Sequence, residues 1–372
     1  MKVTTKDVFA PFLANLAIDV NTAIVPKEVV EEYGDLKTHP VGTGPFKLVE
    51  WRRGDRIIYE RNEDYRATLD GDKLPYLDKL IFVFITESET KRVALGRREI
   101  DGYDFVPPMQ IDELKKDPTV DISVKPVINY QYVSVNTKAK PFDDVNVRRA
   151  VMMAIDKDEI IRDALFGHAI PAIFPMLSIP GSPWYMPDIK YLKFDPEEAK
   201  KLLTDAGYPN GFKTEITAAP TYEEVKYAEI TAMDLKKYLN IDVTVKKPEL
   251  TAYIDEVFNK HEHVMTTCGG PSSGDPDPDI YPYFHSTGGY NHFNYSNSHV
   301  DELLDKQRLT LDVDERKRIL KEVAETVLSD APIQYCYHVE RGEVVNKYVK
   351  GYVMYNTQQP RFDVVWVDKS LM

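Results

Sequence analysis

The chain has 372 residues, 43% of them hydrophobic, with 60 acidic against 47 basic side chains and a net charge of −13. That length exceeds what one core ordinarily organises and argues for two lobes, while the acidity excludes bulk neutralisation of phosphate, so no nucleic-acid partner is expected. No apolar run approaches the length of a membrane span, and the opening Met-Lys-Val-Thr-Thr-Lys has no apolar segment of signal-peptide type.

Residues 1–38 read as an amphipathic start followed by a helix from Pro26. A glycine/proline turn then enters a hairpin over residues 46–60. Gly42 and Gly44 permit positive φ, Pro45 fixes φ, and Arg53-Gly54-Asp55 makes the second turn. Phe46, Leu48 and Val49, then Ile57, Ile58 and Tyr59, are strand-type residues. Residues 80–85, Leu-Ile-Phe-Val-Phe-Ile, form a continuous apolar run and are expected to be a strand buried on both faces. Short helices are expected over 91–99 and 111–116, and strands over 122–127 and 130–135.

Residues 145–166 read as one long helix with Val147, Val151, Ala154, Ile155 and Ile160 on its apolar side. Residues 174–190 are a proline-rich loop holding Trp184 and Tyr185. The next helix carries its own punctuation: Asp195 as N-cap, Pro196 at the first turn, Glu198 as the return partner, and Gly207 as the stop. Strands are expected over 212–218, 241–245, 264–268 and 333–339, and helices over 222–239, 253–258, 300–309 and 315–328. From residue 145 onward helices and strands alternate, which argues for an α/β lobe with much parallel pairing.

The best candidate site is the loop from Gly269 to Phe284, Gly-Gly-Pro-Ser-Ser-Gly-Asp-Pro-Asp-Pro-Asp-Ile-Tyr-Pro-Tyr-Phe. Glycines and prolines at a strand end shape a loop whose backbone can meet a ligand. Gly270 and Gly274 leave the main chain open, and Ser272 and Ser273 offer hydroxyls. Asp275 and Asp277 offer acceptors, and Tyr281 offers a stacking face. Trp184, Tyr185 and Tyr130 are the further aromatic candidates. Asp275, Asp277 and Asp279 have the spacing of a calcium loop, but Ile280 and Ser286 stand where its glycine and glutamate belong, so no metal is expected there. His261 and His263 flank Glu262 in a segment most simply read as a solvated loop. Asn294-Tyr295-Ser296 fits a glycosylation acceptor. Cys268 and Cys336 are the only cysteines; a disulfide and two buried free thiols are both open. No nucleophile elbow, phosphate loop or dinucleotide fingerprint is present, and no cofactor is expected.

Four stretches carry a resemblance. The segment from His39 to Tyr65 resembles a motif of the extracytoplasmic solute-binding proteins that deliver oligopeptides, dipeptides, nickel or oligosaccharides to ABC transporters. Pro141-Phe-Asp-Asp-Val-Asn-Val-Arg-Arg-Ala-Val-Met-Met-Ala-Ile-Asp156, Phe194-Asp-Pro-Glu-Glu-Ala-Lys-Lys-Leu-Leu-Thr-Asp-Ala-Gly-Tyr208, and Asn294-Tyr-Ser-Asn-Ser-His-Val-Asp-Glu-Leu-Leu304 with Asp330-Ala-Pro-Ile333, are similar to further family motifs. The resemblance implies an α/β, two-lobed fold of the periplasmic-binding-protein type (class II), with the first lobe incomplete because a front stretch of the family is absent. It places the first lobe at 1–141 plus 346–372 and the second at 142–345. It implies a binding protein and not an enzyme, extracytoplasmic, with ABC permease subunits and an oligosaccharide or oligopeptide as partners. An incomplete first lobe should also expose an apolar sheet edge or face.

Peptide-binding relatives usually place a Trp, then an Asp that meets the ligand's ammonium, just before the Asp-Pro-Asp element. Here those positions hold Pro271 and Gly274, or Cys268 and Pro271, depending on register, with Asp275 near enough to substitute. The missing Asp favours a neutral oligosaccharide stacked on Trp184 and Tyr185, with a dipeptide or oligopeptide as the alternative. A hydrolase using paired aspartates of the loop is the reading from a different class.

Overall fold

The computed structural model describes residues 3–17, 23–271, 274–355 and 360–372. The chain divides into two compact units, Met1–Ile18 with Ile128–Glu340, and Asp19–Val127 with Arg341–Met372. The division falls at 127/128 and 340/341, compared with the crossings expected near 140 and 345, and Tyr130 belongs to the unit of Ile128–Glu340.

In that unit the strands Asp242–Lys246, Lys213–Ala218 and Met265–Pro271 run parallel to one another. The strand Met265–Pro271 also pairs antiparallel with residues 129–135, so the sheet is mixed. Period-two alternation sends successive side chains of residues 130–135 to opposite faces. Val133 and Val135 enter one core with Val147, Ile155, Leu203, Ile216, Tyr227 and Met265. Tyr130 and Tyr132 enter another with Phe174, Trp184, Phe284, Phe293, Leu304 and Val323. Helices thus cover both faces of this sheet, as in open α/β folds.

The helix over 145–166 is two helices, Val145–Met153 and Lys157–Leu165. The break has a local cause. Asp156 takes an extended backbone and its carboxylate accepts from the Asp158 and Glu159 amides, an N-cap that starts a second helix. The capped helix is as punctuated: Pro196–Asp205, with Asp195 accepting from the Glu198 amide at 3.1 Å and Gly207 at φ +92° beyond its end. The two strands expected over 122–135 are one, Val120–Val135.

In the other unit, Phe46–Arg52, Arg56–Arg61 and Lys79–Val83 form a three-stranded antiparallel sheet. The hairpin turns through Gly54 at φ +78°. The apolar run at residues 80–85 is not buried on both faces. Its strand is the sheet edge, and Ile81, Phe82 and Val83 are 43%, 40% and 41% exposed. Such an apolar edge is what the sequence reading expected of this lobe.

Candidate functional site

The candidate loop follows the carboxyl ends of the parallel strands Lys213–Ala218 and Met265–Pro271, a place where open α/β sheets commonly bind ligands. The helix Tyr222–Leu239 begins there, and the Thr221 hydroxyl caps it by accepting from the Glu224 amide at 3.2 Å. Tyr227, one turn in, donates its hydroxyl to the carbonyls of both Tyr132 and Cys268, tying helix to sheet.

Gly269 and Gly270 pair with Gln131 and Tyr130. A Cβ on Gly269 would lie 2.2 Å from the Gln131 side-chain oxygen, and one on Gly270 would lie 3.0 Å from the Tyr130 hydroxyl. A side chain at Gly269 would displace the end of Gln131, and one at Gly270 would press on the Tyr130 ring. Gly274 is exposed with open space where a Cβ would sit. Ser272 and Ser273 lie outside the described residues.

The aspartates have partners already. Asp275 receives two bonds from Arg316, at 2.6 and 2.5 Å, and also accepts from the Asp277 amide at 2.9 Å. Asp277 receives the Arg308 guanidinium at 2.7 and 3.0 Å and the Gln307 amide at 2.5 Å. Gln307 in turn accepts from Arg316. These are buried, charge-assisted pairs that set the loop's shape. Asp275 is therefore not poised to replace the missing ammonium partner. The loop is also not all loop, since Asp277–Phe284 is a helix with Pro278 in its first turn.

Trp184 and the loop share a partner. The Arg316 guanidinium that holds Asp275 sits 4.8 Å from the centre of the Trp184 ring. Trp184 is only 9% exposed and belongs to the core, which corrects the expectation of a loop aromatic open to ligand. Tyr130 is likewise buried, edge-on to Tyr335 at 5.5 Å, and burial raises its hydroxyl well above the usual tyrosine range. Tyr281 lies under Arg308 at 3.2 Å and donates to Asp305 at 3.0 Å. Tyr185 keeps substantial exposure, 39%.

The remaining sequence candidates resolve locally. The Asn294 amide donates to Asn136 at 3.0 Å, so its nitrogen is part of the fold. His263 is fully buried, against the expectation of a solvated segment, and burial pushes its imidazole down to about 4. Among the described residues no group of side chains is placed to hold a metal. Cys268 and Cys336 are free thiols. Two surface clefts of about 430 and 360 Å³ flank Tyr295 and Ser296, and neither is lined by the Gly269–Tyr281 loop.

Sequence reasoning did not single out Gln131, opposite Gly269, or Asn129, opposite Pro271, whose side-chain oxygens are buried without a partner. It also missed Glu224, a buried carboxyl at the helix start that burial raises to about 7. One signal was available. The face that carries Val135 and Val133 continues as Gln131 and Asn129, a switch from apolar to amide that marks where the strand leaves the core.

The family model for bacterial extracellular solute-binding proteins, family 5 (middle region), matches residues 1–291. The dipeptide-binding protein of Escherichia coli is 29% identical, with 96% of this chain and 68% of that protein aligned. The glutathione-binding protein GsiB of Pectobacterium atrosepticum is also 29% identical, over 89% of this chain and 65% of its own length. The chain thus spans about two thirds of the length of these relatives. Among solved structures, the periplasmic binding protein DppA of Helicobacter pylori, in complex with the peptide STSA, superposes with a TM-score of 0.82 at 29% identity, covering 98% of this chain and 72% of its own. The dipeptide-binding protein of a Pseudoalteromonas species, in complex with Met-Leu, gives 0.83 at 26%, covering 97% and 72%. No helix among the described residues is long and apolar enough to cross a membrane. The chain belongs to the bacterial extracellular solute-binding proteins of family 5.

Proposed function

We propose that this chain captures a short peptide outside the cytoplasm and delivers it to the permease subunits of an ABC importer, without chemistry on the ligand. The observation that carries the peptide reading is the strand end at Gly269 and Gly270. The parallel pairing with Lys213–Ala218 stops at Thr267, so one edge of the strand beyond it carries no partner strand among the described residues, and the half-buried Gly269 lies there beside the unpartnered side-chain oxygen of Gln131. A peptide laid along such an edge bonds through its own backbone, with neighbouring side chains supplying selectivity. The oligosaccharide reading rested on Trp184 as a stacking platform, and Trp184 is in the core. Relatives that carry the names dipeptide-binding and glutathione-binding protein point the same way. Gly274 and Tyr185 are retained as contacts, joined by Asn129 and Gln131, whereas the Tyr281 ring is already stacked on Arg308 and His285 and Gly270 is buried.

Thermal unfolding with dipeptides and tetrapeptides, against oligosaccharides of similar size, tests this. A ligand at a hundred times its dissociation constant adds about 2.7 kcal/mol to stability. Peptides should raise the melting temperature and sugars should not. Stabilisation by sugars alone would overturn the peptide reading.

A further inference from the structure

Two adjacent arginines of the unit that holds residues 128–340 line one surface cleft and meet no carboxylate there. The polar lining of this cleft, of about 430 Å³, includes Arg148, Arg149, Asp330, Ser296 and Thr137. Arg148 is only 8% exposed, and its bonds go to main-chain carbonyls. Its Nε donates to Asp330 at 2.8 Å, and its Nη1 donates to Phe142 at 2.9 Å and Asp143 at 3.4 Å. Arg149 donates from Nε to the Ser329 carbonyl at 2.7 Å and from Nη2 to the Ser329 hydroxyl at 3.1 Å. Ser329 and Asp330 end the helix Val313–Asp330, so both arginines close its last carbonyls.

That structural duty leaves donors over. A guanidinium has five N–H groups, and among the described residues Arg148 Nη2 and Arg149 Nη1 have no partner. Ser296 is exposed and adds a hydroxyl. One acceptor stands among these donors. Asp330 Oδ2 accepts from the Tyr295 hydroxyl at 2.7 Å and the Asn297 amide at 2.9 Å, while Oδ1 has no partner among the described residues.

The charge balance is positive here, in a chain of net charge −13. The groups that act on Arg148 are Asp330, Tyr295, Asp144 and Arg149. Asp144 is occupied in capping the helix Val145–Met153, and Asp143 is held by Lys140 at 2.6 Å. Lys138, also exposed, lines the neighbouring cleft, which shares Asn294, Tyr295 and Ser296 with the first. Guanidinium N–H groups held in fixed places suit an oxyanion. The lone acceptor selects which one. Asp330 repels an anion whose oxygens are all bare and accepts from one that keeps an O–H group. Hydrogen phosphate keeps one at neutral pH, whereas sulfate and phosphodiesters keep none.

We propose that this cleft binds inorganic hydrogen phosphate, with Arg148, Arg149 and Ser296 donating to its oxygens and Asp330 Oδ1 accepting from its O–H group. The site is separate from the Gly269–Tyr281 loop and does not rest on the peptide reading.

The test titrates the full chain calorimetrically at pH 7.5, in phosphate-free buffer, with sodium phosphate, sodium sulfate and dimethyl phosphate. Phosphate should bind at least tenfold tighter than either of the others. Arg149→Gln should weaken phosphate at least tenfold. Asp330→Asn, which keeps an oxygen for Tyr295 and Asn297, should bring sulfate to within threefold of phosphate. Should either variant fail to fold, Ser296→Ala, at an exposed position, is read instead and should weaken phosphate several-fold. A wild-type chain that binds no phosphate at millimolar concentration, or binds sulfate or the diester as tightly, overturns the site. So does unchanged phosphate affinity in Arg149→Gln or in the Ser296→Ala substitute, or an unchanged preference over sulfate in Asp330→Asn.

Discussion

Arg316 holds Asp275 by two bonds of 2.6 and 2.5 Å, with both side chains almost wholly inside the protein. The flat face of the same guanidinium covers Trp184. One cation thus fixes a loop carboxylate in its plane and a core ring on its face. Removing one partner of such a pair strands the other charge, whereas removing both does not. Arg316→Met and Asp275→Leu should each cost about 3–5 kcal/mol. The double variant should cost clearly less than the sum. Urea unfolding of the three chains measures the coupling, and additive losses would show that the pair is not a unit.

Trp184→Ala should behave as a core truncation and not as a ligand-site change. Burial in a packed aromatic cluster predicts a loss of about 3–5 kcal/mol. Leu203→Ala, on the capped helix and 2% exposed, should cost about 2–5 kcal/mol. Its half-buried neighbour Leu202 should cost less. A Trp184→Ala protein of wild-type stability with weakened peptide binding would restore the ring to the site.

Local chemistry made part of this fold legible. The Asp195-Pro196 start and Gly207 stop act within a few residues, so the chain alone specifies them, and the same holds for the Gly54 turn. Legibility fails where a neighbour decides. Leu80 to Ile85 is apolar enough for a buried strand, yet which strands flank it depends on distant pairing, and the sheet ends with it. The helix Asp277–Phe284 was hidden by Pro278 and Pro282, which read as loop markers although proline suits a first helical turn. In the candidate loop the glycines at the strand end are legible in the chain, but the partners of Asp275 and Asp277 lie about thirty to forty residues on, at Gln307, Arg308 and Arg316. Nothing local in the loop reveals that its charges are already paired.

The exposed strand Lys79–Val83 carries its own consequence. An apolar edge with unpaired main chain is a template for pairing with another chain. Val83→Lys should reduce self-association at high protein concentration, read by sedimentation velocity, and change unfolding free energy by no more than about 0.5 kcal/mol, as exposed positions generally do. Unchanged association would mean that another surface drives it.

Buried titratable groups should give the protein a two-sided pH dependence. His263 and His338 are each pushed by burial down to about 4 from an ordinary 6.5. Below 6.5 the unfolded chain therefore takes up protons that the folded chain refuses, and stability falls as pH drops from 6.5 towards 4. Glu224 and Asp234 act in the opposite sense. Burial raises them to about 7 and about 6, so the folded chain keeps protons that the unfolded chain releases, and stability falls as pH rises from about 4.5 to 7. The two trends overlap between pH 4.5 and 6.5 and partly cancel, so the wild-type profile should be shallow there. Single variants separate them. His263→Leu removes a ring whose two nitrogens have no partner, and should gain roughly 2–3 kcal/mol over wild type near pH 4. Glu224→Gln should gain a similar amount at pH 8, with the gain gone by pH 4.5, where the wild-type carboxyl is protonated in the folded chain. Denaturant unfolding at pH 4, 6 and 8 reads both slopes. A Glu224→Gln gain that is the same at every pH would show that the carboxyl does not titrate in this range.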